Sequence, residues 1–398
     1  MRSFLALTCL IFGTLTGVKA ADLPAIDAPP GNGAVVYWQA FTMLPTRSAD
    51  EQTALDAANK APAKPLPEEV RNLVGHYSAA LATMHRATGA KTCDWELNYA
   101  DGPALALPHI AKVRELARAA QLRARLRFES GESTGAVDDL VDTLKMARDA
   151  ASSPTLVSML VGVSIETPVI ELLAEHLPQL DRASLDRLER RLAALPTTPS
   201  VADDLRVEKA AFDHWLKREF AAELAMGDDA KIGKKTIERL NQLRTTDGMS
   251  ADEVKRGAAS FETVGKLRAA INRLRQDYEK LAQLIDEKPS AERQKRLRQF
   301  DDAIKQSKPS PASDGWLAAQ LVPATSKILD REASRDMRRQ LLLTAIDVQR
   351  RGQEAIQATK LPVPGTIEYE ATSGGFTLHY RITAGSPPVS LRVGAAGK

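Results

Sequence analysis

Cysteine is almost missing: Cys9 and Cys93 are the two in 398 residues, and Cys9 lies inside an apolar stretch at the amino terminus. Once that stretch is removed Cys93 stands alone, so no intramolecular disulfide is available and the fold must rest on its core. Aromatic residues make up 5%; with Ala and Leu dominant, this favours helices packed through small side chains over a sheet core. A charge excess is absent too. Removing Arg2 and Lys19 leaves 52 basic against 51 acidic residues, which gives no electrostatic case for nucleic acid or an anionic membrane surface. There is no G-x-G-x-x-G, no phosphate-binding loop and no G-x-S-x-G, so nucleotide and serine-hydrolase readings have no local support and no cofactor is expected. The six histidines, at 76, 85, 109, 176, 214 and 379, contain no i, i+4 pair and no zinc-type spacing with Cys93. No metal site is expected.

The amino terminus carries the clearest signal. Arg2 precedes a short apolar run from Phe4 to Gly17, and Val18-Lys19-Ala20 places small or apolar residues at −3 and −1 of a cleavage site. This pattern predicts a signal peptide over 1–20, a mature chain starting at Ala21, and a periplasmic or extracellular protein. Cys9 has no small-residue run after it and is not read as a lipid-attachment site. After the leader no stretch approaches the roughly 20 apolar residues of a spanning helix, so no transmembrane helix is expected in the mature chain. Residues 21–32, with Pro24, Pro29 and Pro30, read as a flexible lead-in.

Residues 33–199 read as an irregular helical array of antiparallel hairpins. Helices are expected over 33–44, 67–86, 109–128 and 135–147, the last two joined by a short turn in which Gly131 takes the position after the helix end. Ala124, Gly131, Ala136 and Leu140 stand where a tetratricopeptide unit puts its packing positions, but Arg123 and Arg127 replace bulky apolar residues and no 34-residue period recurs. Ser153 and Pro154 mark the start of a strongly apolar helix to Leu177, which Pro168 should kink. Leu185, Leu188, Leu192 and Leu195 define one more amphipathic helix before Pro196.

From Val201 charges become dense, and residues 200–310 read as a charged long-helix module. Val264, Leu267, Ile271, Leu274, Tyr278, Leu281 and Ile285 follow a 3-4 alternation, the seam of a heptad helix. Leu297, Phe300 and Ile304 continue the spacing beyond Pro289, so the two segments are expected to fold back on each other or on a second chain. Ser250 with Glu253 forms a capping-box pattern ahead of Gly257, and Lys308 to Ser313 reads as a linker. Closing helices are expected over 311–360. In the tail, 361–398, Ile367, Tyr369 and Ala371 and then Phe376, Leu378, Tyr380 and Ile382 alternate across Ser373-Gly374-Gly375, a β-hairpin signal to which Val389, Leu391 and Val393 add a third strand. The fold class is therefore mainly α with a small C-terminal β-hairpin.

Cys93-Asp94-Trp95 with Asp101-Gly102-Pro103, Leu122-Arg123-Ala124-Arg125-Leu126, Pro154-Thr155-Leu156 and Ile165-Glu166, together with the Ile367–Tyr380 hairpin, resemble a family of exported, Ala/Leu-rich helical proteins of planctomycete-type bacteria. The resemblance covers roughly residues 32–195 and the hairpin, and the segment 201–308 departs from it. It implies an exported helical fold and brings no known activity.

Two places carry candidate chemistry. In the loop between Thr88 and Pro108, Asp94, Trp95, Tyr99 and Asp101 either line a pocket with carboxylates and an aromatic platform or pack as a plug. Cys93 beside His85 or His109 has the residue types of a thiolate nucleophile and its base, against the plainer reading of a small buried hydrophobe. Glu166, in the most apolar helix, needs a cation, which Arg123 or Arg125 is expected to supply, either as a catalytic pair or as an internal ion pair. The expected function is an extracytoplasmic scaffold or binding protein for a protein or other envelope macromolecule, with the heptad segment as contact surface. The alternatives are a hydrolase using the Cys93–Asp101 loop with Glu166 and an arginine, and a structural envelope component.

Overall fold

The computed structural model describes residues 30–61, 64–198, 200–225, 238, 263–288, 290–307, 315–361, 365–382 and 388–395. The expected signal peptide, most of the lead-in, the Ser250–Glu253 capping box with Gly257, Pro289 and the 308–313 linker lie outside the described residues. The chain is mainly helical, with a three-stranded antiparallel sheet at its carboxyl end.

Helix α1 (Gly33–Thr42) starts at Asn32, whose side chain accepts from the Ala34 amide. Helix α2 (Ala49–Lys60) follows, opened by a capping box of Ser48 and Glu51. The periodicity did not bring α2 out because only Leu55 and Ala58 of it are buried. The single helix expected over 67–86 is two, α3 (Glu68–Gly75) and α4 (Ser78–Thr88). The break at His76–Tyr77, next to helix-weakening Gly75, lets Val70, Leu73 and Val74 share one core with Leu81 and Met84. Helices α5 (His109–Glu129) and α6 (Ser133–Ala151) pack along each other across a turn in which Gly131 has φ +80°, as its expected role requires.

Helix α7 (Leu156–His176) is capped by Thr155, whose hydroxyl accepts from the Ser158 amide; Ser153, the expected cap, lies two residues outside. It continues through Pro168. By length and composition α7 with the turn to Gln179 suffices to cross a membrane, contrary to the sequence-based expectation, but 67% of its apolar window is buried within the fold. Helix α8 (Arg182–Ala193) buries Leu185, Leu188 and Leu192.

Then come α9 (Val201–Glu219), the short α10 (Ala221–Ala225), α11 (Val264–Asp286), α12 (Ala291–Gln306), α13 (Trp316–Leu321) and α14 (Thr325–Arg351). All seven heptad positions of α11 are buried, covered by α9, α12 and α13 of the same chain. Tyr278 donates its hydroxyl to the Leu321 carbonyl at 3.2 Å and is packed as tightly as Ile271. The seam is thus filled from within the chain, the intramolecular of its two expected forms, and its seven apolar positions are not left to a partner. Strands β1 (Gly365–Thr372), β2 (Gly375–Ile382) and β3 (Val389–Val393) pair in order, with Ile367 opposite Tyr380 and Leu378 opposite Leu391. The sheet packs on α7 and α14, and the Gly394 amide donates to the Ala174 carbonyl at 3.1 Å.

Two hydrophobic cores result. One joins α1 to α8, the later turns of α14 and the sheet; the other joins α9, α11, α12 and α13. Helix α7 serves both: Leu156, Met159 and Val163 belong to the second core, Ile165, Val169 and Ile170 to the first. At the crossover Gly162 touches α6 so closely that a β-carbon there would lie 2.9 Å from the Ala151 Cβ and 3.0 Å from the Ala147 carbonyl oxygen. Gly162→Val is therefore expected to destabilise the protein by about 1–3 kcal/mol, the cost of overpacking a tight contact, in urea unfolding. A loss below about 0.5 kcal/mol, as for a surface change, would show that α6 and α7 separate freely.

Candidate functional site

The loop after α4 is tied to the start of the described chain. The Gly33 amide donates to the Thr92 carbonyl at 2.8 Å, and the Asn32 side chain donates to the Asp94 carbonyl and accepts from the Asp94 amide, both at 2.9 Å. The Asp94 carboxylate accepts from the Glu96 amide and so shapes its own turn. Trp95 is buried. Its ring stacks on His109 at 4.2 Å, Tyr37 at 5.7 Å and Phe41 at 6.2 Å, and its Nε1 donates to the Asp149 carbonyl at 2.8 Å. Of the two readings of the loop, the plug is the one the indole's surroundings support.

Asp149 sits beneath this stack, accepting from the Tyr37 hydroxyl and the Lys145 ammonium. Burial raises its pKa in spite of those donors, and burial with Asp149 holds the Tyr37 hydroxyl well above its ordinary value. The same two causes raise the Cys93 thiol, so a thiolate is disfavoured. No base is at hand to compensate: His85 is bound to Asp142 at 2.6 Å, and burial lowers His109 to about 4, with neither ring nitrogen hydrogen-bonded among the described residues. These surroundings give the cysteine-nucleophile expectation no support. Tyr99 and Asp101 leave this cluster on a 3₁₀ turn, Tyr99–Ala104, that docks on α9. There Asp101 pairs with Arg218 at 3.6 Å, and Gly102, at φ +52°, lies under Trp215, whose Cβ would be 2.6 Å from any added β-carbon. Burial raises the Tyr99 hydroxyl.

The two candidate arginines have other partners than the one expected. Arg123 forks onto Asp139 at 2.5 and 3.0 Å, and the buried Arg125 donates to the carbonyls of Ala58, Ala61 and Lys64 behind α2. Glu166 pairs instead with Arg148, one turn from the Gly162 contact, at 3.2 Å, and Arg148 also donates to the Pro196 carbonyl at 2.7 Å. The helix packed directly on α7 supplies the cation, which the spacing along the chain does not reveal. Both side chains are buried, so the pair fixes α6 against α7.

A second cluster of carboxyls, one buried and two half-buried, went unnoticed in the sequence. Among the described residues the wholly buried Asp204 has neither oxygen hydrogen-bonded, Glu208 accepts from the Leu156 amide at 2.7 Å, and Glu332 accepts from the Val201 amide at 3.0 Å. Burial first, then Glu208 and Glu332, pushes Asp204 up to about 8; burial pushes Glu208 up to about 7. The signal was present in the spacing, since Val201, Asp204, Leu205 and Glu208 occupy i, i+3, i+4 and i+7, a core face.

Clefts of about 520 Å³, beside the turn between α5 and α6, and about 490 Å³, between α2, α5 and α7, are lined by none of Cys93, Asp94, Trp95, Tyr99, Asp101, Asp204 or Glu166. Among the described residues no group of three or more His, Cys, Asp or Glu side chains is arranged to hold a metal ion. Comparison with known protein families, with characterised proteins and with solved structures finds no match to this chain.

Two measurements check this account. Glu166→Ala should cost about 3–5 kcal/mol in denaturant unfolding, as removing one partner of a buried pair does; a cost below about 1 kcal/mol, typical of an exposed pair, would contradict the burial. The raised Asp204 and Glu208 values mean that the folded state holds protons the unfolded chain releases near pH 4. Their stabilising effect is complete below that pH and is lost as pH rises through about 7 and 8. The urea midpoint should accordingly fall across this window, and Asp204→Asn should flatten the fall and raise stability at its alkaline end; an unchanged slope would place the proton elsewhere.

Proposed function

We propose that this chain is an exported helical binding protein whose contact surface is the outer face of α1. The observation that carries the reading is a half-exposed tryptophan held rigid from behind. Trp38 is 39% exposed, flanked by Val35 at 54% and Met43 at 45%, while its inner edge packs edge-on against Phe41 at 5.4 Å and Trp95 at 6.2 Å. Trp and Met are enriched where proteins meet, and an aromatic anchor already fixed in place loses little freedom on binding. Arg86, donating to Gln39 at 3.0 Å, adds a cation at the rim. The fitting partner is an envelope protein offering an apolar slot for the indole and a carboxylate for Arg86.

The tetratricopeptide-like character of α5 and α6 agrees with a scaffold role. The hydrolase alternative asks the 93–101 loop, Glu166 and an arginine to share one cleft, and their separate partners speak against it. The test is affinity isolation of the mature protein from its own envelope beside Trp38→Ala, with processing of the amino terminus read by sequencing the first residues. The proposal expects a chain beginning at Ala21 and one partner, identified by mass spectrometry, that Trp38→Ala loses while unfolding as the parent does. The same proteins recovered with both, or none with either, would overturn it.

A further inference from the structure

The cleft between α2, α5 and α7 has a volume of about 490 Å³, within the range that holds a small organic ligand. One wall is a single face of α5, with Arg114, Arg118 and Gln121 at i, i+4 and i+7; opposite stand Asp56, Asn59 and Lys60 of α2. Three cations therefore face one carboxylate. That carboxylate is taken, for Asp56 accepts from Arg118 at 3.1 Å, while the side chains of Arg114 and Lys60 have no hydrogen bond or ion pair among the described residues. The carboxyl end of α2 does not neutralise Lys60 either, since the buried Arg125 already covers the carbonyls of Ala58, Ala61 and Lys64. Two free cations at the mouth of one cleft call for an anion.

The remaining walls specify more than charge. Pro168 lines the cleft and has no N–H to give the Ser164 carbonyl four residues earlier, so this carbonyl lacks its helical donor and remains an acceptor at the cleft's edge. Asn59 and Gln121 each spend one N–H on their own helix, on Leu55 and Ala117. Their amide oxygens are left to accept. Ala117 and Ile165 add an apolar strip. The lining thus pairs two cationic donors with several acceptors, which suits a molecule that is negative at one end and rich in hydroxyl donors along the rest.

We propose that this cleft binds a small hydroxylated carboxylate of the sugar-acid class, its carboxylate between Arg114 and Lys60 and its hydroxyls donating to the Ser164 carbonyl and the Asn59 and Gln121 amide oxygens. The site is separate from the α1 face and does not depend on it.

Calorimetric titration of the mature protein with D-glucuronate tests the assignment, with methyl glucoside and inorganic phosphate as probes of the hydroxyls alone and the charge alone. Glucuronate should bind more tightly than either. Arg114→Ala should weaken it by about tenfold or more, the scale of one lost charge-assisted contact. Pro168→Ala, which restores the missing N–H, should weaken glucuronate several-fold and leave phosphate unchanged. Absence of glucuronate binding, equal binding of methyl glucoside or phosphate, or indifference to both substitutions would each overturn the proposal. Thermal unfolding of each variant without probe separates loss of the site from loss of the fold.

Discussion

The architecture depends on one helix being shared by two cores. Leu156, Met159 and Val163 of α7 belong with α9, α11 and α13, whereas Val161 and the apolar core residues from Ile165 onward belong with α5, α6 and the sheet. A helix that buries side chains in two cores has to be apolar over most of its circumference, which is why it matches a membrane-spanning composition while serving as an internal spine. Its buried acid, Glu166, lies at the crossover and is answered by Arg148, while Gly162 allows α6 to come near enough for that pairing. Replacing such a pair by matched apolar groups need not cost stability. What the pair supplies is register between α6 and α7 where they cross.

The same economy runs through the aromatic cluster. With so few aromatic rings, the fold gathers Tyr37, Trp38, Phe41 and Trp95 in one place, above Asp149 and against a neutral His109. Every ring but Trp38 is buried, so the exposure of that indole is a property of the whole cluster rather than of a loose surface side chain. The loop of residues 88–108 looks chemically rich because its residues face in several directions at once: Trp95 inward, Asp94 toward the start of α1, Asp101 toward α9.

Much of the helical order was legible in the sequence, because caps and apolar periodicity are local. Gly131 and the seven seam positions of α11 announced their roles. What could not be read locally were choices made by neighbours. Nothing near Glu166 distinguishes Arg148 from Arg123 or Arg125, since all three are positive and helical; only packing of α6 on α7 decides. Helix α2 stayed hidden because its burial rests on two small or medium side chains, and the break at His76 is dictated by the core it must reach. The carboxyls of Asp204 and Glu208 were concealed by the assumption that acids on an amphipathic helix face water. Cleft-lining residues such as Arg114 and Lys60 resemble any other charged surface until three helices are placed around them.

One core encloses the other along the chain. The first gathers side chains from Ala34 to Val393, whereas the second draws on residues between Leu156 and Ile328. For a polypeptide emerging amino end first, the inner core has all its parts while the outer one still waits for β3, whose neighbouring Gly394 amide reaches back to α7. Contacts of such wide sequence separation form late and slowly. The amino-terminal helices must meanwhile hold their apolar faces in a partly closed assembly, exposed to chaperones and proteases until the final strand arrives, so that a small sheet of modest area acts as the latch that ends this vulnerable interval.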